Sequence, residues 1–376
     1  MLEGLDAVAW ETLELCYEPA TRIPESIRAL TSERKETSDS ALQFLYDNLT
    51  HQGTVYSGTA HAIPFLIELL KQPSLPHTAM LLDLLSNCAY AGVYGNYAPY
   101  TPLLQSNDFD PMFDYSQRFG WDPHPHAAAA VSTGVPIYLR LLQHSDPSIR
   151  MSAAYVLAVI PQRAREIIPT MCQVLGDESL EMVKASLLLS LGCIWPDDMD
   201  VGFFTPWLDA TTSMRLQIVA ALGLARITKS STGPRVVTLL CEAVRQAETV
   251  DPWYTTLKWS NGDSIIDHSC MFLGLIGSAK AAWTIPILAA RVDSLWLQAP
   301  PSRWAIGHVL DCMFKLAFPE RDTPLSIAAL TQEQQTILKY LIDYPYTWYT
   351  GDIEAGLRRA GLPSTWNDLL DSLRIL

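Results

Sequence analysis

Helix pairs led by proline recur through the middle of the chain, and this repetition limits the fold more than any other feature. Pro136, Pro169 and Pro206 each precede an apolar stretch, a polar turn and a second apolar stretch, and they are spaced by 33 and then 37 residues. Apolar residues fall at helical spacing on both sides of each turn. A helix pair of this length cannot bury its apolar face alone, so the pattern predicts a stack of such pairs.

The repeat that starts at Pro136 carries the clearest local signals. Its two apolar stretches are separated by Asp146-Pro147, and Arg150 follows in the second stretch. Aspartate is a favoured residue just before a helix, and proline is tolerated in the first turn, where its missing N–H costs nothing. The sequence therefore predicts that Asp146 caps the second helix of this pair.

The string Pro136, Leu141-Leu142, Asp146-Pro147, Arg150, Ala153-Ala154 resembles a HEAT repeat. The resemblance is strong over residues 124–228 and weaker on either side. It implies that the proline kinks the first helix of a pair. It also implies that the Asp and Arg side chains form bonds along the stack.

Runs near both ends extend the likeness over nearly the whole chain. They include His51-Gln52-Gly53-Thr54-Val55-Tyr56 and Ala62-Ile63-Pro64-Phe65-Leu66 near the start, and Arg359-Ala360-Gly361-Leu362-Pro363 near the end. These runs resemble a group of bacterial HEAT-repeat proteins of mostly unassigned role. Some relatives of that type are thought to be interaction or immunity-type proteins, so this resemblance implies a class of function and no particular activity.

The expected fold is therefore all-α, an α-α superhelix of antiparallel helix pairs that forms one domain over residues 1–376. Predicted helices include single helices over 124–143 and 199–209. Two stretches interrupt the pattern: an insertion rich in aromatic and acidic residues at 92–125 and a Trp-rich connector at 249–262. Long insertions in compact domains are more often functional than decorative.

The charge balance narrows the class of partner. The chain has 26 basic and 40 acidic residues, a net charge of -14, and no strong basic cluster. Such a chain repels phosphate backbones, which argues against nucleic acid as a partner. An acidic surface favours a basic or polar protein, recruited electrostatically.

The cysteines and the apolar runs indicate a cytoplasmic protein that does not cross a membrane. The seven cysteines are dispersed without a CxxC pair, which predicts reduced, buried thiols. The longest apolar stretch, 270–290, is interrupted by Lys280 and Pro286 and is better explained as two short helices. The acidic start lacks the basic segment of a signal peptide.

Aromatic side chains in the two interruptions are the main candidates for binding a partner, because they supply large contact areas at low entropic cost. An alternative is that the rings of the insertion only plug it onto the flank of the stack. Trp296 also lies near a connector and joins the interface candidates, whereas Trp283 and Trp304 fall within helices and are expected in the core. The candidates are Tyr94, Tyr97, Tyr100, Phe113, Tyr115, Trp121, Asp122, His124, Trp253, Tyr254, Trp259 and Trp296.

The histidines provide few further sites. Asp122, His124 and His126 are three metal-ligand types in five residues, but the prolines between them splay the side chains, and no second pair stands nearby. His51-Gln52-Gly53-Thr54 is either a helix-stopping turn, with Thr54 or Ser57 capping the next helix, or a polar handle at one end of the stack. The remaining histidines are solitary in sequence: His61, His77, His144, His268 and His308.

The sequence thus predicts a non-catalytic scaffold that binds a partner protein on its groove and aromatic loops, in an immunity-type or regulatory role. No nucleotide-binding or hydrolase motif is present, and no metal or cofactor is predicted. Repeated His-Glu pairs, which the iron-binding hydroxylase built on HEAT repeats uses, do not occur in this chain. The alternative is an enzyme with a metal or small-molecule site under the 92–125 insertion.

Overall fold

The computed structural model describes residues 2–51, 54–90, 124–260, 263–298, 303–318, 325–344 and 352–373. Two compact units divide the chain, Met1–Met199 and Asp200–Leu376, here called the N-terminal and the C-terminal unit. Each unit is a stack of antiparallel helix pairs, which confirms the predicted all-α fold class. The expectation of one domain over 1–376 stays a prediction. In the described ranges, none of the helices has the length and apolar character needed to span a membrane.

The N-terminal unit begins with short 3-10 turns and continues as paired α-helices. One antiparallel hairpin, β1 (Thr50–His51) with β2 (Thr54–Val55), joins the second and third helices. The α-helices are α1 (Ile23–Ala29), α2 (Lys35–Leu49), α3 (Ser57–Leu69), α4 (Thr78–Tyr90), α5 (His124–Ser132), α6 (Val135–Leu141), α7 (Pro147–Ala158), α8 (Ala164–Asp177) and α9 (Glu181–Ile194).

The α6–α7 pair carries the HEAT-like signals and shows what they do. Asp146 caps α7 by accepting a 2.8 Å hydrogen bond from the Ser148 N–H, as predicted. Arg150 reaches the next repeat, where Nε and Nη2 donate to the two carboxylate oxygens of Glu178 at 2.8 and 3.2 Å. The bond along the stack therefore joins Arg150 to Glu178, and Asp146 is used within its own repeat.

The single helix predicted over 124–143 is wrong, because the chain forms α5 and α6 with a turn at 133–134. Pro136 lies in the first turn of α6, where its missing N–H is harmless. Gly134 is required at the break, since a Cβ there would lie 2.3 Å from the buried Tyr138 ring. The Tyr138 hydroxyl donates to the Val131 carbonyl at 3.1 Å and so fastens α6 to the end of α5.

The helices α8 and α9 show how a pair divides burial. In α8 one face is buried through Ile167, Ile168 and Met171, while Arg165 and Glu166 face solvent. Every residue of α9 from 185 to 194 is buried, as expected for a helix between other helices. Pro169 lies inside α8, the first helix of this pair.

The C-terminal unit repeats the arrangement. Within it, α13 packs against α11, α12 and α15, and α15 also packs against α14 and α16. The α-helices are α10 (Met214–Thr228), α11 (Pro234–Arg245), α12 (Ala247–Tyr254), α13 (Ile265–Ile276), α14 (Ala281–Trp296), α15 (Arg303–Ala317), α16 (Gln332–Asp343), α17 (Asp352–Ala360) and α18 (Trp366–Leu373).

Two predicted elements of the C-terminal unit differ from the structure. The helix expected at 199–209 is a 3-10 helix, Val201–Leu208, which contains Pro206 and therefore lacks one N–H donor. The Trp-rich connector expected at 249–262 is occupied by α12 and by a 3-10 turn, Lys258–Ser260. Both elements are short, and packing stabilises helices that are too short to persist alone.

Candidate functional site

Most of the predicted interface residues of the insertion lie outside the described residues, and their role stays a prediction. They are Tyr94, Tyr97, Tyr100, Phe113, Tyr115, Trp121 and Asp122. Gln52 of the end motif also lies outside the described residues.

His124 and His126 lie in the first turn of α5. Residues two apart in an α-helix are rotated by about 200°, so the two imidazoles point to opposite sides. In the part of the chain that the structure describes, no three His, Cys, Asp or Glu side chains are placed to hold a metal ion. The alternative of an enzyme site beneath the insertion gains no support from these two histidines.

His51 lies in the hairpin at the end of α2 and contacts an exposed tyrosine. The Tyr17 hydroxyl lies 3.0 Å from Nε2 of His51, and the two rings meet edge to face. The start of α3 differs from the expected caps, because Ser57 is its first residue and accepts a bond from the Glu14 N–H. His51 therefore contacts Tyr17, and a polar handle at this position stays a prediction.

Trp253, Tyr254 and Trp259 are buried, so their predicted place at an interface is wrong. They lie on α12 and the turn that follows it, and α12 packs against α13. Covering rings of this size with a neighbouring helix removes a large apolar area from water. The guanidinium of Arg215 also lies over the Trp253 ring, 5.4 Å from its centroid. A partner on the surface of the unit cannot reach these side chains.

Tyr254 instead belongs to a buried polar cluster at the start of α13. Its hydroxyl lies 2.5 Å from Nδ1 of His268, and Nε2 of His268 lies 3.8 Å from a carboxylate oxygen of Asp263. A hydroxyl that donates to Nδ1 leaves the ring proton on Nε2, which has no hydrogen-bond partner among the described residues. His308 on α15 donates from Nδ1 to Asp267 at 2.5 Å. The two histidines that are solitary in sequence are thus partners in one cluster.

Carboxylates also hold the first turn of α13 in place. Asp267 accepts from the Ser264 N–H at 2.9 Å and completes a capping box. Asp251 on α12 accepts from the Ile265 N–H at 2.6 Å and from the Ser264 hydroxyl at 2.8 Å. Negative groups are favoured at a helix N-terminus, where free N–H groups and the helix dipole meet them.

Burial shifts the pKa values of Asp263 and His268 in opposite directions. Burial raises the pKa of Asp263 to about 6, with the negative charge of Asp267 adding to the rise. Burial lowers the pKa of His268 to about 4. The hydrogen bond to Asp267 raises the pKa of His308 above its ordinary value, although burial opposes the change. Near neutral pH this cluster therefore holds a neutral His268 beside a carboxylate that takes up a proton readily.

The buried cysteines are poor candidates for a reactive group. Cys88, Cys193, Cys241, Cys270 and Cys312 are buried, which confirms the prediction for five of the seven, whereas the other two are half-buried. Burial raises the pKa of Cys241 to about 12 and that of Cys270 well above its ordinary value. Such thiols stay protonated and are poor nucleophiles.

Among the predicted interface aromatics that the structure describes, Trp296 is exposed. It belongs to a cluster that we call the aromatic corner: Asp293, Trp296, Leu297, Tyr340 and Tyr344. Trp296 is the last residue of α14 and is 39% exposed, and Leu297 follows it at 83%. The Trp296 ring lies 4.6 Å from that of Tyr344, which stacks at 5.8 Å on Tyr340. The Tyr340 hydroxyl lies 3.0 Å from both carboxylate oxygens of Asp293.

Two carboxylates act on the phenols of the corner, among the residues that the structure describes. Partial burial raises the pKa of Tyr340 to about 12, together with the hydrogen bond and the charge of Asp293 and the charge of Asp343. Burial and the same two charges raise the pKa of Tyr344. The corner is thus an exposed tryptophan that packs on a buried tyrosine, with carboxylates close by.

The sequence contains signals for part of the corner. Tyr340 and Tyr344 are four residues apart, the spacing that places two side chains on one helix face. That α16 lies beside the end of α14 is a tertiary fact that local spacing does not contain. Trp283, expected in the core, lies near the start of α14 and is 42% exposed.

Comparisons with known proteins support no closer assignment. No protein-family model matches the sequence, and no curated protein matches it. One similar solved structure is that of the CpcE–CpcF phycocyanin lyase complex of Nostoc sp. PCC7120. The match has 15% sequence identity, covers 88% of this chain and 97% of that chain, and has a TM-score of 0.38.

Two further structures are similar at the same level. Kap95 from a Kap95:Nup1 complex shares 12% identity over 96% of this chain and 43% of its own, with a TM-score of 0.43. Human deoxyhypusine hydroxylase shares 13% identity over 94% and 96%, with a TM-score of 0.28. Likeness at this level assigns neither a partner nor a reaction, and the resemblance to a bacterial group stays a prediction.

Proposed function

We propose that this protein is a non-catalytic scaffold that binds a partner protein, and that the aromatic corner is part of the binding surface. The observation that carries the proposal is the exposure of Trp296 and Leu297 beside two tyrosines and a carboxylate. The stacked helix pairs provide a rigid support for this surface.

The chemistry of the corner is that of a protein interface. Tryptophan and tyrosine dominate the binding energy of interfaces, because they bury a large area and lose little conformational entropy. The exposed leucine adds apolar area, and burying this area against a partner is favourable. The carboxylate at the rim of the corner can accept hydrogen bonds and so orient a partner on the surface.

The partner expected from charge is basic or polar. The C-terminal unit is nearly neutral, with 17 acidic and 15 basic residues, so the negative charge at the corner comes from Asp293 and Asp343. Opposite charge on the partner accelerates encounter and sets the register of the complex. An inhibitor that covers a toxin and a regulatory adaptor are two forms of this function, and both would use the same surface.

A photocrosslinking experiment tests the proposal. The photoreactive residue p-benzoylphenylalanine replaces Leu297 in one variant, and in a matched control it replaces Leu180, an exposed leucine of the N-terminal unit. After irradiation in the native host, we expect an adduct with one protein from position 297 and none with that protein from position 180. The crosslinked protein, once purified, is expected to bind the wild type and to bind Trp296→Ala at least about tenfold more weakly.

Two results would contradict the proposal. One is the same set of adducts from both positions, which would indicate random collision. The other is equal affinity of the purified partner for the wild type and for Trp296→Ala. Thermal unfolding of the variant shows whether the fold is intact, because Trp296 also packs on Tyr344.

A further inference from the structure

Asp293 and Trp296 are three residues apart in the last turn of α14 and therefore lie on the same helix face. The carboxylate and the indole ring border one surface. The Tyr340 hydroxyl fixes the carboxylate by lying 3.0 Å from each oxygen. One hydroxyl supplies one proton, whereas a carboxylate accepts about four hydrogen bonds. Asp293 therefore retains acceptor capacity for a ligand.

The same surface favours a cation. Two carboxylates, Asp293 and Asp343, lie close enough to act on the Tyr340 and Tyr344 hydroxyls. The faces of Trp and Tyr rings carry negative electrostatic potential and attract cations placed above them. Trp296 is thus on the same helix face as a carboxylate, and the exposed Leu297 follows it in sequence.

We propose that the aromatic corner receives an arginine side chain of the partner, with the guanidinium stacked on Trp296 and its N–H groups donating to Asp293. This inference rests on the proposed function and specifies the chemistry of the partner. The aliphatic part of the arginine contacts Leu297. The partner segment therefore presents arginine beside an apolar residue.

Arginine fits this surface better than lysine for three reasons. Its guanidinium is planar and stacks on a flat ring, it is less strongly hydrated than an ammonium group, and its donors match both oxygens of a carboxylate. Lysine carries the same charge, but its ammonium group is not planar. Citrulline has a similar planar shape without the charge, so these three side chains separate charge from shape.

The test uses the full chain and three small probes: the N-acetyl amides of arginine, lysine and citrulline at equal concentration and constant ionic strength. Nuclear magnetic resonance of the tryptophan indole N–H groups reports binding, and Trp296→Phe identifies the Trp296 signal. We expect the arginine amide to shift that signal saturably. The lysine amide is expected to bind at least about fivefold more weakly, and the citrulline amide to give no saturable shift.

Two variants locate the binding. Asp293→Asn keeps the shape of the side chain and is expected to abolish the saturable shift, whereas Asp177→Asn removes an exposed carboxylate of the N-terminal unit and is expected to leave it unchanged. Equal shifts with the three amides, or an unchanged shift in Asp293→Asn, would overturn the inference. If crosslinking identifies a partner while these probes give no shift, then the proposed function stands and only the arginine is wrong.

Discussion

The two units differ in where they place their charge. The N-terminal unit has 23 acidic and 11 basic residues and so accounts for most of the negative charge, whereas the C-terminal unit has 17 and 15. The nearly neutral unit nevertheless contains the buried cluster of Asp263, His268 and His308. Net charge therefore does not indicate where pH acts on the fold.

One buried cluster from each unit satisfies its ionisable groups differently. In the N-terminal unit, Arg150 and Glu178 form two parallel hydrogen bonds, and both side chains are nearly inaccessible. In the C-terminal unit, His268 has one close partner, and its second nitrogen is 3.8 Å from Asp263. Where an ion pair is fully hydrogen-bonded, the stability of the stack depends on both partners being present. Where a buried cluster is incompletely paired, the stability depends on pH.

The largest effect is expected from Arg150→Met in the N-terminal unit. This change leaves Glu178 as a buried carboxylate without its cation and removes a bond to the His144 carbonyl. Breaking a buried pair in this way costs about 3–5 kcal/mol. Urea unfolding followed by helical circular dichroism measures the loss in the free energy of unfolding.

Arg165→Met is the matched control for that change. Arg165 pairs with Asp198, and both side chains are 68% exposed. Exposed pairs contribute at most about 1 kcal/mol. A similar loss from both variants would show that burial of the Arg150–Glu178 pair does not set its importance.

The next effect compares one buried tyrosine hydroxyl in each unit. Tyr254→Phe removes the bond to His268 and leaves a buried imidazole without that partner, at a cost of about 1–3 kcal/mol. Tyr138→Phe removes a bond to the Val131 carbonyl, which still accepts the Gly134 N–H at 3.0 Å, so the cost is about 1 kcal/mol or less. Equal costs in urea unfolding would remove the proposed difference between the units.

The sequence predicted the elements with local signals and missed the contacts between distant segments. The Asp146 cap depends on neighbouring residues and was found as predicted. His268 and His308 were interpreted as solitary because their partners lie on other elements; Asp267 is 41 residues from His308. Spacing along one helix identifies a face, and only the neighbouring helices decide whether that face is covered.

The aromatic residues show the same limit in both directions. Trp253 and Trp259 stand near turn-forming residues, so a surface position was expected, but the packing of α12 against α13 buries them. Trp283 lies in an apolar run, so a core position was expected, but it remains exposed. Trp296 was assigned to the surface and is exposed, whereas Tyr340 joins it only through packing of two helices.

The pH dependence of the C-terminal unit is the smallest of these effects, and its sign follows from the pKa shifts. The pKa of Asp263 is raised from 3.8 to about 6, so its contribution to stability is lost as the pH rises through about 6. The pKa of His308 is also raised, so its contribution is full below the unfolded pKa and is lost at higher pH. The pKa of His268 is lowered, so this residue reduces the stability of the fold as the pH falls from 6.5 toward 4.

Asp263→Asn isolates the first of these contributions, because asparagine has a similar shape and no charge. The shift corresponds to at most about 3 kcal/mol, and screening by water reduces the expected gain to about 1–2 kcal/mol, since the side chain is 27% exposed. We expect the variant to be more stable than the wild type at pH 8 and equally stable at pH 4. Tryptophan fluorescence during urea unfolding reports on this unit, which holds eight of the eleven tryptophans. Asp177→Asn controls for the loss of one negative charge, and a pH-independent gain in Asp263→Asn would show that burial of the Asp263 charge is not the cause.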